Sequence, residues 1–284
     1  MNTRRSPYNS AVFALLFQLS LITYNRIARA FQVNSGVGFG CCIGAVDGIL
    51  IKTKRPGKEE CGVTGVKKFY CARKHSYGLN MQVVADSRRR ILFYDISWPG
   101  SASDYLSFSN SSLGSSLETL IASGYALFGD NAYVNSPRMV VPYYRAQAGT
   151  AEDNFNFFQS QLRMSIECTF GILVNRFGIL HSPLPFSLKC NIALVQSFMH
   201  VHNHIIDFEH EDAFSIGHPE NVIDGRIGDI TDDDGIPRRV MDSGHHFDDV
   251  VRPRYIQTGL RDSLRNHVVT SGLMRPGARE EELN

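Results

Sequence analysis

Four carboxylates in this chain each close an apolar run or lie just beyond one. They are Asp47 in CCIGAVDGILI, Asp104 in WPGSASDY, Asp130 in ALFGDNAY and Glu167 in RMSIECTFG. Acids far apart in sequence can meet at one edge of a sheet when each ends such a run. A cluster of that kind takes hard divalent cations, because Mg²⁺ is held by one or two carboxylates together with waters and substrate phosphate. Two such ions about 3.5–4 Å apart can drive in-line attack on a phosphodiester. The competing reading is four unrelated surface acids, and spacing alone favours it.

The elements that would position these residues follow in order along the chain. An amphipathic helix is predicted over about 10–32, with Phe13, Leu16, Leu19, Leu21 and Ile22 inward. A strand over 41–53 carries Asp47, and a Gly- and Lys-rich hairpin loop follows at 54–68. Strands are predicted at 78–86 and 91–98, joined by a turn at 87–90. Ser101 or Ser103 would cap the next helix, placing Asp104 in its first turn. A strand at 125–129 delivers Asp130, and 138–144 forms a further short strand. Residues 151–177 show helical periodicity, with Leu162, Ile166, Phe170, Leu173 and Phe177 on one face. A last helix spans Phe186 to Phe208. This order predicts an α/β fold, an RNase H-like mixed sheet flanked by helices.

The blocks GAVDG, SWPGSASD, GDNAY and R-x-x-x-E-x-x-F-G-x-L occur in that order, preceded by YNRIARAF at Tyr24–Phe31. Together they resemble the signature blocks of PIF/Harbinger-type transposases and the Harbinger-derived nucleases, over roughly residues 24–206. The resemblance implies that Asp47, Asp130 and Glu167 form a catalytic Asp-Asp-Glu triad. It also implies that Asp104 is a further metal-site carboxylate and that Mg²⁺ or Mn²⁺ is the cofactor. The implied activity is hydrolysis and strand transfer on double-stranded DNA, carried out as a homo-oligomer, with a Myb-like partner protein as a source of DNA specificity. The alternative is a domesticated or decayed descendant that binds DNA or a partner without cutting. Two departures lie close to the motifs: Ile49 and Leu50 replace the family's Thr-His, and Val174 replaces its Lys.

Net charge is +1, but it is unevenly distributed. Residues 1–206 hold 20 Lys/Arg against 11 Asp/Glu, whereas 207–284 hold 9 against 17. A basic body suits a polyanionic partner, since counterion release from phosphates drives sequence-independent DNA affinity. The charge is densest between Lys52 and Lys74. Lys52, Lys54, Lys67, Lys68, Arg73 and Lys74 are the candidate DNA-binding residues there, with Phe69, Tyr70 and Tyr77 interleaved. Arg88–Arg90 reads as a solvated turn.

Three domains are expected: a helix and linker at 1–40, the endonuclease domain at 41–208, and a largely disordered acidic C-terminal tail at 209–284 with a short helix near 258–268. Within the tail, Asp232–Asp234 lack the Gly and Glu of a calcium loop. The glycines of 35–40 follow no strand and mark a linker. The six cysteines form no C-x-x-C pair, which argues against structural zinc, and His200, His202 and His204 read as structural rather than metal-binding. Residues 4–30 imitate a secretory signal, yet Gln18 and Ser20 interrupt the apolar run, and the Tyr24–Phe31 block crosses the would-be cleavage site. No stretch is apolar enough to span a membrane. Free buried thiols and a DNA substrate point to the nucleus.

Overall fold

Residues 39–215 and 259–275 are described in the computed structural model, side chains of the first segment to residue 208. The helix expected over 10–32, the linker to residue 38 and the acidic stretches around Asp232–Asp234 and Asp248–Asp249 lie outside them. β1 (Cys42–Lys52) is central, and its first half, Cys42 to Val46, is fully buried. A continuous apolar run is what a strand covered on both faces requires. β3 (Ser76–Ala85) pairs antiparallel to it from Ala45–Ala85 to Lys52–Gly78. β5 (Ala126–Phe128) pairs parallel on the other side, ending at the rung Ala45–Phe128, and β6 (Met139–Val140) continues the sheet beyond it. β4 (Ile91–Pro99) and the two-residue β2 (Tyr70–Cys71) both pair with β3. The sheet is therefore mixed, as expected.

Strands 78–86, 91–98 and 125–129 are recovered within one or two residues. The turn between β3 and β4 is held by the buried Asp86 carboxylate, which accepts from the backbone N–H groups of Arg88 and Arg90 at 2.8 and 3.0 Å. The 54–68 stretch differs from the expected hairpin loop. It folds into α1 (Lys58–Cys61) and two 3₁₀ turns, Gly62–Thr64 and Val66–Phe69. Glu60 starts this by accepting from the Gly57 N–H at 3.0 Å, and Cys61 and Phe69 turn inward to bury apolar surface.

Helices cover both faces. α2 (Asp104–Ser109) and α3 (Leu117–Leu120) lie over the side carrying Val46 and Val84, with Phe108 and Leu113 in the core between. α4 (Ala151–Arg176) and α5 (Leu188–Ser215) cover the side carrying Ala45, Met81 and Val83. Thr150 caps α4 by accepting from the Asp153 N–H, and Glu152 and Asp153 in its first turn complement the helix dipole. Leu162, Ile166 and Leu173 form its buried stripe, with Phe170 and Phe177 at the margin. Asn203 of α5 grips β4, donating to the Ile91 carbonyl and accepting from its N–H, each at 2.8 Å.

α6 (Gly259–Thr270) lies where a short helix was expected, but it is docked rather than solvated. Leu264 and Val268 pack with Phe155 and Leu162 of α4. Arg261 stacks 4.1 Å from the centre of the Tyr143 ring, and Arg265 pairs with Glu152 at 3.0 Å. Leu260, Leu264 and Val268 recur every four residues, so one turn after another presents an apolar side chain to the core.

Candidate metal centre

Asp47 stands two residues past the last β1–β5 rung, and Asp130 stands two residues past the same rung on the partner strand. Parallel pairing thus brings the two acids to the same level where the strands part. Asp47 keeps some accessible surface, yet protein crowds its carboxyl. Burial pushes that carboxyl up to about 7, and the charges of Asp130 and, more weakly, Asp104 push the same way. Arg163 of α4 and the Gly48 N–H, which donates to Asp47 Oδ1 at 2.8 Å, oppose the shift.

Asp104 arrives on the opposite face of β1. Ser103 caps α2 by accepting from the Leu106 N–H at 3.3 Å, placing Asp104 in the first turn. The strand pleat turns Asp47 toward α4 and Gly48 toward α2. A Cβ on Gly48 would stand 2.1 Å from Asp104 Oδ1 and 2.6 Å from Gln82 Nε2. The glycine of the GAVDG block is therefore the gap through which Asp104 reaches the strand.

A buried amide network orients Asp104. Its Oδ1 accepts from Asn80 Nδ2 at 3.0 Å and from Gln82 Nε2 at 2.9 Å. Tyr133 Oη donates to Gln82 Oε1 at 2.7 Å, and Asn80 Nδ2 also donates to the Ala102 carbonyl at 3.0 Å. Burial, with the charges of Asp47, Asp104 and Asp130, holds the Tyr133 hydroxyl well above its ordinary pKa, so it stays a donor. Asp130 closes a turn of its own, accepting from the Ala132 N–H at 2.8 Å.

Glu167 lies on α4 as expected, but its side chain is 58% exposed and pairs with Arg163 one turn earlier at 3.7 Å. Arg163 thus pairs with Glu167 while its charge also acts on Asp47, and its buried Nε has no hydrogen-bond partner. Among the described residues no group of three or more His, Cys, Asp or Glu closes into a metal cage. The donor set nonetheless fits a hard cation. Mg²⁺ needs only one or two carboxylates beside its waters, and Asp47 is a crowded acid whose ionisation is disfavoured by burial and by the neighbouring Asp130 charge.

The candidate DNA-binding residues Lys52, Lys54, Lys67, Lys68, Arg73 and Lys74 are all exposed. His202 is buried against the Arg89 carbonyl at 2.8 Å, and His200 meets the Tyr94 hydroxyl. All six cysteines are free, and burial pushes the Cys41 thiol up to about 11 and that of Cys42 well above its ordinary value. Among the described residues no helix is long and apolar enough to cross a membrane.

Sequence reasoning did not single out Asn80, Gln82, Tyr133 or Arg163 as functional. A signal existed for each. Asn80 and Gln82 are polar at a two-residue spacing inside the apolar strand GLNMQVVA, Tyr133 ends the GDNAY block, and Arg163 opens the block that contains Glu167.

Comparison with known proteins agrees with the motif resemblance. No solved structure matches. The chain is 30% identical over 171 residues to the protein named "Putative nuclease HARBI1" of Rattus norvegicus, covering 59% of this chain and 46% of that one. The proteins of that name in Bos taurus and Homo sapiens are 29% and 28% identical over the same length and with the same coverage. The chain thus spans less than half the length of these relatives. The family described as DDE superfamily endonuclease matches residues 46–203, a span that contains all four acids. By that match, over more than half its length, the chain belongs to the DDE superfamily endonuclease family.

Proposed function

We propose that this chain is the core of a divalent-metal-dependent DNA endonuclease or transposase with an RNase H-like fold. The observation that carries the reading is the equal placement of Asp47 and Asp130 beyond the Ala45–Phe128 rung, with Asp104 in the same electrostatic field. Asp47 and Asp130 would hold Mg²⁺ or Mn²⁺; Glu167 would join them once its pair with Arg163 opens, and Asp104 would reach the ion from the other face of β1 through the gap at Gly48. When bound, such a cation lowers the pKa of a coordinated water and stabilises the leaving oxygen of a phosphodiester. Asn80, Gln82 and Tyr133 keep the Asp104 carboxylate aimed. Arg163 offsets negative charge beside Asp47, and the exposed lysines and arginine of 52–74 hold the DNA backbone. Strand transfer would use a freed 3′-hydroxyl as nucleophile in place of water.

One observation favours a second reading, DNA or partner binding without cleavage. Glu167 is engaged by Arg163, so the triad is complete only if that pair opens. Nicking of supercoiled plasmid with Mg²⁺ or Mn²⁺ separates the two. Metal-dependent nicking by the wild type, abolished in Asp130→Ala, supports the nuclease. Equal DNA binding by both proteins with no nicking supports the binder. A homo-oligomer acting in the nucleus with a Myb-like partner for specificity completes the proposal, on the strength of the motif resemblance.

A further inference from the structure

The cationic arm that leaves β1 has a feature that phosphate contacts alone do not use. Lys52, Lys54, Arg55, Lys58, Lys67, Lys68, Arg73 and Lys74 lie on it, and none of them is ion-paired among the described residues. Its base is firm. Cys61 and Phe69 are buried in the main core, with Val66 packed against them. The Lys68 carbonyl accepts from the Ser101 N–H at 3.0 Å, fastening the arm to the turn that leads into Asp104. Between these anchors the chain projects a four-residue apex, Gly62 to Gly65. Gly62 (φ 49°) and Gly65 (φ 75°) take conformations that side chains disfavour, and open space surrounds both. At the apex Val63 is 107% exposed.

A single exposed apolar side chain is ordinary. Here, however, the apex is held up by two glycine turns, flanked by unpaired cations and bonded to the turn of a candidate metal ligand. Proteins that deform duplex DNA insert apolar wedges between base pairs while neighbouring cations hold the phosphates. We propose that Val63 is such a wedge, entering between adjacent base pairs of duplex DNA while Lys58, Lys67 and Lys68 grip the backbone. This rests on the DNA-nuclease reading above and deepens it. Because the arm is tied to the Asp104 turn, the wedge would fix the spacing between the deformed step and the bond that is cut.

Relaxation of closed plasmid by a metal-independent topoisomerase, with the full chain bound and no divalent ion present, tests the wedge regardless of DNA sequence. The expected result is a shift in linking number that grows with bound protein. The shift should be lost in Val63→Ser at equal occupancy, with affinity within about 3-fold, and retained in Val63→Leu. Both variants should melt with the wild type, since Val63 is fully exposed. Lys67→Ala and Lys68→Ala should each lower the slope of log affinity against log salt by about one. No shift with the wild type, or an equal shift with Val63→Ser, overturns the wedge and leaves DNA binding standing. A lower melting point for Val63→Ser overturns it as well, by revealing a packing role. Absence of any DNA binding removes the nuclease reading and the wedge together.

Discussion

Asp47 and Asp130 lie at the same height in the sheet, each two residues beyond the Ala45–Phe128 rung of the parallel β1–β5 pair. The consequence is electrostatic: burial and the neighbouring Asp130 charge both disfavour ionisation of Asp47.

In the metal-free protein the contribution of Asp47 to stability should therefore fall as pH rises. In the folded state the Asp47 pKa is raised to about 7 from 3.8, so the fold binds a proton that the unfolded chain gives up. This contribution is fullest below pH 3.8, declines between about 4 and 7, and is absent above. A three-unit shift would be about 4 kcal/mol, reduced by residual solvent access to about 1–3 kcal/mol. Asp47→Asn should raise the melting temperature at pH 8 and leave it unchanged near pH 4. Mn²⁺ should stabilise the wild type at pH 8 and stabilise Asp47→Asn much less.

Gly48→Ala should be disproportionately harmful. Its methyl would stand 2.1 Å from Asp104 Oδ1, forcing the carboxylate and the α2 terminus away. A loss of about 1–3 kcal/mol is expected in urea unfolding. Nicking should be lost along with metal binding by calorimetry. A fully stable, active Gly48→Ala would show that Asp104 is not needed where it stands.

Tyr133→Phe should leave Gln82 Oε1 buried without its donor, costing about 1–3 kcal/mol. Nicking should fall more than DNA affinity, because the buried phenol orients Asp104 through Gln82. Equal losses in both would place Tyr133 in DNA binding instead.

Arg163→Met removes a cation that opposes proton uptake at Asp47 and that pairs with Glu167. The Asp47 titration, followed by carboxyl NMR in metal-free protein, should move further up. A downward movement would mean that the Arg163 charge does not reach Asp47.

Val268→Ala and Leu264→Ala should each lower stability by about 1–4 kcal/mol, since both side chains are buried against α4. Thermal melts of the full chain measure this directly. No change for either would mean that α6 contributes nothing to the fold.

The strands and long helices were legible because their periodicities are strong. β1 reads as two apolar runs, Cys42–Val46 and Ile49–Ile51, either side of Asp47 and Gly48, and α4 repeats Leu162, Ile166 and Leu173 at turn spacing. The docking of α6 was not legible, because Leu264 and Val268 lie in a short polar stretch within the acidic tail and their partners Phe155 and Leu162 are more than 100 residues away. In the site, the four acids could be named from the motif blocks, although Asp47 lies within β1 rather than at its end. The amides of Asn80 and Gln82 could not, since their roles depend on the β1–β3 register opposite Gly48. The Glu167–Arg163 pair was hidden for the opposite reason. It is local, and an Arg four residues before a Glu is an ordinary exposed helix pairing.

The pairing of Gly48 with Gln82 sets a parity rule for the whole centre. A slip of β1 by a single residue would exchange the faces of Asp47 and Gly48, aiming the acid at α2 and the gap at α4. No smaller slip keeps the ladder's hydrogen bonds, so the centre cannot drift gradually out of alignment. Chains that misassemble here should be wholly inactive rather than partly so. A preparation of reduced activity should accordingly resolve into two populations, one fully competent and one inert, rather than one uniformly weakened species.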